Sequence, residues 1–328
     1  MTKSSQRKKN RLGKVIGRTL DFFFSGLSNL SKYTPLANME RFGIEVLDNI
    51  AYGDLGSDTT LDIYRPKNIP KKQKLPVVMY IHGGAFCTMS KDTHWVMGRN
   101  FGRAGYIVVN INYRLAPQNP YPAGLQDVCT AWKWVYENIA TYGGDIDQIV
   151  VAGESAGANL ALALALVCSM KRSEPWAKEI YQLQHRPKAI VPMCGIFEVR
   201  RAERFLRPYN PLRFLVYRNI LDIQYKYIPP EKEDVDDIID PLCLVENLGN
   251  DVLKSLPPTF LSVGTWDPLL EDTQRLYAAM KQKGHTVEVR YYKREVHAFQ
   301  ALLFRKQARM FWKEMLLFLK EYVEEQSN

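Results

Sequence analysis

Three residues of this chain have the types and surroundings that nucleophilic acyl transfer needs: Ser155, Asp267 and His297. Ser155 is the centre of Gly153-Glu154-Ser155-Ala156-Gly157, between a short apolar strand-like run, Gln148 to Ala152, and a helical run, Asn159 to Met170. Strand, Gly-x-Ser-x-Gly and helix, in that order, describe a nucleophile elbow. Glycine at both ends leaves room for a turn too tight for side chains beside the serine. The turn presents the Ser155 hydroxyl at the C-terminal end of a strand. It also puts the Ala156 amide at a helix N-terminus, where N–H groups favour negative charge.

An ester's tetrahedral intermediate carries a negative charge that preorganised N–H donors stabilise by several kcal/mol. The run Leu75 to Ile81 reads as a buried strand leading into His82-Gly83-Gly84-Ala85-Phe86, whose glycines allow close backbone approach. Gly83, Gly84 and Ala85, with the amide of Ala156, form the candidate oxyanion hole. Downstream, the apolar run Thr259 to Val263 leads to Asp267, and His297 follows the strand-like run Thr286 to Tyr292. Each member of the trio therefore falls where a strand ends, and one edge of a parallel sheet could gather all three. The chain order serine, acid, histidine is that of α/β-hydrolases.

The other histidines compete less well. His285 precedes the last strand, at the wrong end of the sheet. His82 belongs to the oxyanion segment and is expected to order it by hydrogen bonding. His94 and His185 sit in loop or helix-end positions with no matching acid, so both are read as structural or solvated. Glu271 and Asp272 are rival acids, but they lie inside a helical pattern, Glu271 to Lys283, rather than at a strand end. With His297 as base, activity should fall as pH drops through roughly pH 6 to 7.

These pieces resemble the hormone-sensitive-lipase family of α/β-hydrolases, in its bacterial esterase branch. The resemblance is carried by His82-Gly83-Gly84-Ala85-Phe86, Asn112-Tyr113-Arg114-Leu115-Ala116-Pro117, Tyr121-Pro122-Ala123-Gly124-Leu125-Gln126-Asp127, the elbow, Asp267-Pro268-Leu269 and His297-Ala298-Phe299, over roughly residues 44 to 320. Two positions depart from the family pattern. Ala85 stands where a third glycine is usual, and Ala298 follows the histidine where glycine is usual. Both are small, so modest pocket effects are expected rather than lost chemistry.

The elements needed to position these residues are present. Strand-like runs occur at Ile44–Ile50, Thr60–Tyr64, Pro76–Ile81, Tyr106–Asn112, Gln148–Ala152, Ala189–Met193, Thr259–Val263 and Thr286–Tyr292. From the third onward helical segments alternate with them, which implies right-handed crossovers and a mostly parallel sheet. The first two should form an antiparallel start. The expected class is α/β: an α/β-hydrolase fold with an eight-stranded, mostly parallel sheet flanked by helices.

At 328 residues the chain exceeds a usual single core. The resemblance implies that residues 1–40 and an insertion, 198–240, join as a helical cap over a core of 41–197 and 241–328. A cap can exclude water and supply an acyl-binding wall. Phe86, Met89, Trp95, Phe197, Phe214 and Leu215 are the candidate wall residues.

The first 32 residues hold Lys3, Arg7, Lys8, Lys9, Arg11, Lys14, Arg18 and Lys32 against Asp21 alone, which is +7 of the total +9. The high pI is thus a property of this end. Leu12, Val15, Ile16, Leu20, Phe23, Leu27 and Leu30 fall on one helical face. That face suits a cap helix, the favoured reading, or peripheral contact with an anionic membrane. Nucleic-acid binding has no support beyond charge. Arg18 and Asp21 interrupt the only signal-peptide-like stretch, and no cleavage site follows. Five cysteines in mostly apolar settings point to reduced thiols in a cytoplasmic protein. Metal-ligand spacings, phosphate loops and dinucleotide fingerprints are missing from the sequence, so no cofactor and no metal are implied.

The expected function is a serine carboxylesterase acting on short- to medium-chain acyl esters, with a small-molecule ester as partner. Two other classes stay open: an amide-directed, arylformamidase-like hydrolase, and a non-catalytic binder on the same fold, as some plant hormone receptors are. The binder would need a broken triad.

If residues 1–40 pack in a cap, removing residues 1 to 35 lowers hydrolysis of a soluble ester far more than removing residues 1 to 9. Full activity of the longer truncation, with binding to anionic vesicles lost, refutes the cap.

Overall fold

The strand-like runs form one eight-stranded sheet, seen here in a computed structural model that describes residues 37–67, 70, 73–206, 211–228, 236–249 and 256–324. The expectations for residues 1–36 lie outside the described residues. The strands are β1 (Ile44–Ala51), β2 (Thr60–Pro66), β3 (Leu75–Ile81), β4 (Ile107–Ile111), β5 (Gly144–Glu154), β6 (Ala189–Met193), β7 (Thr259–Gly264) and β8 (Val287–Tyr292). Their spatial order is β1-β2-β4-β3-β5-β6-β7-β8. β2 pairs antiparallel with both β1 and β4, and every pair from β4 to β8 is parallel.

This pattern follows from the side chains. Val77, Val78, Met79, Tyr80 and Ile81 of β3 are all fully buried, as a strand covered on both faces requires. Alternate residues serve two cores. Val77, Met79 and Ile81 join one cluster, whereas Val78 and Tyr80 join the other.

Helix α1 (Trp95–Arg103) leads into β4, and α2 (Ala123–Asn138) leads into β5. Helix α3 (Ala156–Ser169) begins immediately after Ser155 and is buried along its whole length. A helix apolar on all sides belongs in the interior. Truncating a buried leucine such as Leu164 to alanine would cost about 2–5 kcal/mol. After α4 (Pro175–Gln182), β6 and a long excursion follow. The excursion carries α5 (Pro211–Tyr227) and α6 (Pro241–Asn247). Helix α7 (Leu270–Gln282) joins β7 to β8. Helix α8 (Lys306–Leu319) closes the second core with Phe311, Met315 and Phe318.

Crossovers from β3 run to β4 on one side and from β4 back to β5 on the other, so the winding reverses between β3 and β5. Ligands of open α/β sheets bind outside the strand C-termini at such a reversal. The oxyanion segment leaves β3 and the elbow leaves β5, so the two flank it.

Buried acids hold the start of the excursion. Asp272 of α7 accepts from Phe197 N at 2.8 Å and pairs with Arg204. Asp240 accepts from Val199 N at 2.5 Å and from Arg200 Nε at 2.6 Å. Helix α5 ends at Tyr227, whose ring stacks on Phe86 at 3.9 Å and whose carbonyl accepts from Tyr121 N. The excursion is therefore fixed to the oxyanion loop.

Candidate active site

The elbow is built as its glycines imply. Ser155 has φ 55° and ψ −115°, a region that costs a non-glycine residue about 1–3 kcal/mol. Surrounding contacts hold it there. Its N–H donates to Met193 O at 2.9 Å, and its carbonyl accepts from Asn159 N and Ile196 N. Gly157 permits the close crossing of α3 over β3, since a Cβ there would meet Ile81 O at 2.1 Å. The backbone of α3 thus lies against the end of the oxyanion strand, and Ala156, fully buried, opens the helix.

On the oxyanion side the chain turns through Gly84 (φ 115°), Ala85 (φ 56°) and Phe86 (φ 61°). Gly84 O accepts from Cys87 N and Thr88 N, both at 2.9 Å. A side chain at Gly84 would strike Thr88 O at 2.1 Å. Ala85 tolerates the left-handed backbone that the usual glycine would take more easily. Beneath the loop, His82 stacks on Tyr113 at 4.3 Å, and its Nδ1 lies 2.6 Å from Gly83 O. Burial, reinforced by His94 nearby, pushes His82 down to about 3, so it is a neutral donor that orders the loop. Arg114 and Asp127, from two of the resembling motifs, form a forked ion pair, with Nη2 to Oδ1 at 2.7 Å and Nε to Oδ2 at 2.8 Å. It joins the segment after β4 to α2.

At the far side, Asp267 Oδ2 lies 2.8 Å from His297 Nδ1. The other oxygen, Oδ1, accepts from Leu269 N at 2.8 Å, and the carboxylate is fully enclosed. Burial lowers the affinity of His297 for a proton, but the Asp267 carboxylate, with Cys194 beside it, outweighs burial and holds the imidazolium well above the ordinary histidine range. With His297 as the expected base, the acid limb of activity is expected above the roughly pH 6 to 7 of an unperturbed histidine. Cys194, at the end of β6, sits against the same ring. Its thiol, a His297 nitrogen and an Asp267 oxygen lie within 4.8 Å of one another. Among the described residues these three are the donors best grouped for a metal ion, and Nδ1 and Oδ2 are already engaged with each other.

The excluded residues and the wall fare differently. His285 Nε2 faces Thr259 Oγ1 at 3.1 Å, at the opposite end of β7. His185 stacks on Trp132. His94 departs from expectation. It has an acid after all, Glu154 Oε1 at 2.8 Å from its Nε2. Glu154 stood in view as an elbow residue, but only the fold shows which way its side chain points. Cys194 and Gln300 were likewise not anticipated, since no motif marks either.

Two expected wall residues are instead core. Trp95 packs with Phe101 and Tyr106 on the other face of the sheet, under the Arg99 guanidinium. Phe197 is fully buried, its ring lying over the space beside Gly195. Phe86 is enclosed against Tyr227. Met89 is half-buried, and Phe214 and Leu215 on α5 are exposed.

A family model described as the alpha/beta hydrolase fold matches residues 78–301. A carboxylesterase of Mycobacterium tuberculosis is 31% identical over 244 residues, covering 74% of this chain and 72% of that protein. An acetyl esterase of Salmonella schwarzengrund is 29% identical over 245 residues, covering 74% and 69%. Among solved structures, an esterase of Pyrobaculum calidifontis superposes with a TM-score of 0.73 at 23% identity, covering 93% of this chain and 92% of the other, which supports the fold.

The kcat/KM of a soluble nitrophenyl ester, followed from pH 4.5 to 9 with stability checked, should have its acid limb centred above about 6.5, the ordinary histidine value. The sign follows from the base: a raised pKa keeps His297 protonated, and inactive, to higher pH. Asp267→Asn should shift the limb downward and lower kcat by about 10³–10⁴-fold. A limb at or below the ordinary value contradicts the pairing.

Motifs, sheet and family match agree: the chain belongs to the hormone-sensitive-lipase family of α/β-hydrolases.

Proposed function

We propose that the protein is a serine carboxylesterase that cleaves short- to medium-chain acyl esters through an acyl-enzyme. The observation that carries this is the Asp267–His297 hydrogen bond at 2.8 Å, at the sheet edge where the strained Ser155 elbow also opens. The protein is a carboxylic ester hydrolase, in keeping with its carboxylesterase and acetyl esterase relatives.

In this reading His297 takes the Ser155 proton as Oγ attacks the ester carbonyl. Asp267 fixes the tautomer that leaves Nε2 free to accept, and it stabilises the imidazolium that forms. The oxyanion charge falls between the amides of the Gly83–Ala85 loop and the Ala156 amide at the start of α3. Such donors are worth about 2.7–4 kcal/mol each when removed. The imidazolium then protonates the departing alcohol. Water, deprotonated by His297, attacks the acyl carbonyl and frees Ser155 and the acid.

Helix α5 supports the cap, because it joins the oxyanion loop through Tyr227 and Phe86 while Phe214 and Leu215 stay open to an acyl chain. Among the described residues no helix is long and apolar enough to cross a membrane. We place the protein in the cytoplasm.

Ser155→Ala should lower kcat/KM for nitrophenyl butyrate by at least about 10³-fold in folded protein. More than a few per cent residual activity removes the serine from its role. His297→Ala should be comparably damaging and His285→Ala near neutral. A series of acyl lengths should peak at short to medium chains. Matched amides turned over as fast as esters would favour the amide-directed reading.

A further inference from the structure

Glu154 is buried, charged and unused by the acyl-transfer cycle, yet it touches two arms of the site. Oε1 lies 2.8 Å from His94 Nε2, and Oε2 accepts from Gln300 Nε2 at 2.5 Å. His94 lies on the segment that leaves the oxyanion loop. Its Nδ1 is 3.0 Å from Ser90 O, and its ring lies 5.5 Å from that of His82. Gln300 lies three residues after His297, in the short turn Phe299–Ala301. Gln300 O accepts from Trp312 Nε1 at 3.1 Å, which anchors that turn on α8. Gly83 packs directly on Glu154: a Cβ there would lie 3.2 Å from Glu154 Cγ.

We propose that Glu154 is a positioning residue whose carboxylate ties the oxyanion loop, through His94, to the base-bearing turn, through Gln300. The tie passes under the strand end that presents Ser155. It keeps the oxyanion donors and the imidazole in register with the nucleophile, and it adds a second buried negative charge behind His297. The proposal rests on the Ser155–His297–Asp267 reading.

The chemistry of the contacts supports it. Burial works against ionising Glu154, but the hydrogen bonds from His94 and Gln300 and the charges of His94 and His297 more than offset it and keep the carboxyl ionised. Tyr80 of β3 and Cys194, just after β6, also lie close to this carboxylate. A misplacement of about 1 Å in such an array is enough to cost about 10²-fold in rate.

The test is Glu154→Gln in the full chain, with far-ultraviolet dichroism to establish folding. The amide keeps shape and hydrogen bonding but removes the charge. The expected result is kcat lower by about 10- to 100-fold, KM within about twofold of the starting enzyme, and the acid limb of the pH profile moved to lower pH. A purely structural role would leave the limb in place. Gln300→Leu, which keeps the carboxylate, should lower kcat and leave the limb unmoved. Folded Glu154→Gln with kcat within twofold of the starting enzyme, or with an unmoved limb, overturns the proposal. If Glu154→Gln does not fold, Gln300→Leu and His94→Asn decide, and wild-type kcat in both overturns it. Stoichiometric labelling of Ser155 by an aryl phosphonate in the unmodified enzyme tests the triad separately, so the two readings fail on different proteins.

Discussion

A non-glycine residue held at positive φ is the constraint around which this molecule is arranged. Ser155 must leave β5 and enter α3 within one residue, and the backbone that allows this is unfavourable in isolation. It persists because both flanking elements are immobilised. β5 is paired on both sides, with β3 and β6. α3 is buried from end to end. The glycine at 157 lets that helix sit against Ile81 O, so nucleophile and oxyanion strand share one packing contact. Small side chains here are a steric requirement of the sharp turn at the strand end.

Electrostatics imposes the second arrangement. Two carboxylates lie enclosed at the sheet edge, Asp267 and Glu154, and each would be costly to ionise alone. Asp267 is stabilised by the Leu269 amide and by His297; Glu154 is stabilised by His94 and Gln300. Removing one partner from such a buried pair costs about 3–5 kcal/mol. The neutral His82 contrasts with them. It stacks on Tyr113 and serves the loop through Gly83 O. Histidine thus takes three settings here: hydrogen-bonded to Asp267 at 297, partner to a buried acid at 94 and neutral strut at 82.

Legibility in the sequence followed the range of the interaction. All eight strands and their mostly parallel sense were readable, because apolar runs and alternating helices are local signals. The strand-end placement of Ser155, Asp267 and His297 was readable because the elbow is a local turn and the strands are local runs. The His94–Glu154 pair was not, since 60 residues separate the partners. The wall was misread at Trp95 and Phe197 for a related reason: an aromatic near the site in sequence can point to either face of a sheet. Asp272, dismissed as the wrong acid for catalysis, ties Phe197 and Arg204 to α7. Periodicity could place it on a helix but not against its partner.

Where specificity resides follows from this division. The sheet, α3 and the buried acids fix Ser155, Asp267 and His297 and leave little freedom at Phe86, Phe197 or Trp95, which are packed closed. On the proposed reading, the side chains free to adapt to an acyl or alcohol group are those outside the closed core: half-buried Met89 after the oxyanion turn, and Phe214 and Leu215 on α5. Helix α5 meets the core along one face, through buried Ile220 and Tyr227 with Val216, Tyr217, Leu221 and Ile223 packed beside them, while the acids Asp240 and Asp272 hold the strand-side end of the excursion. The outward positions of such a helix, Phe214 and Leu215, can change without disturbing the elbow. Changes of substrate preference should therefore arise on α5 at little cost in stability, whereas changes at the elbow alter rate and fold together.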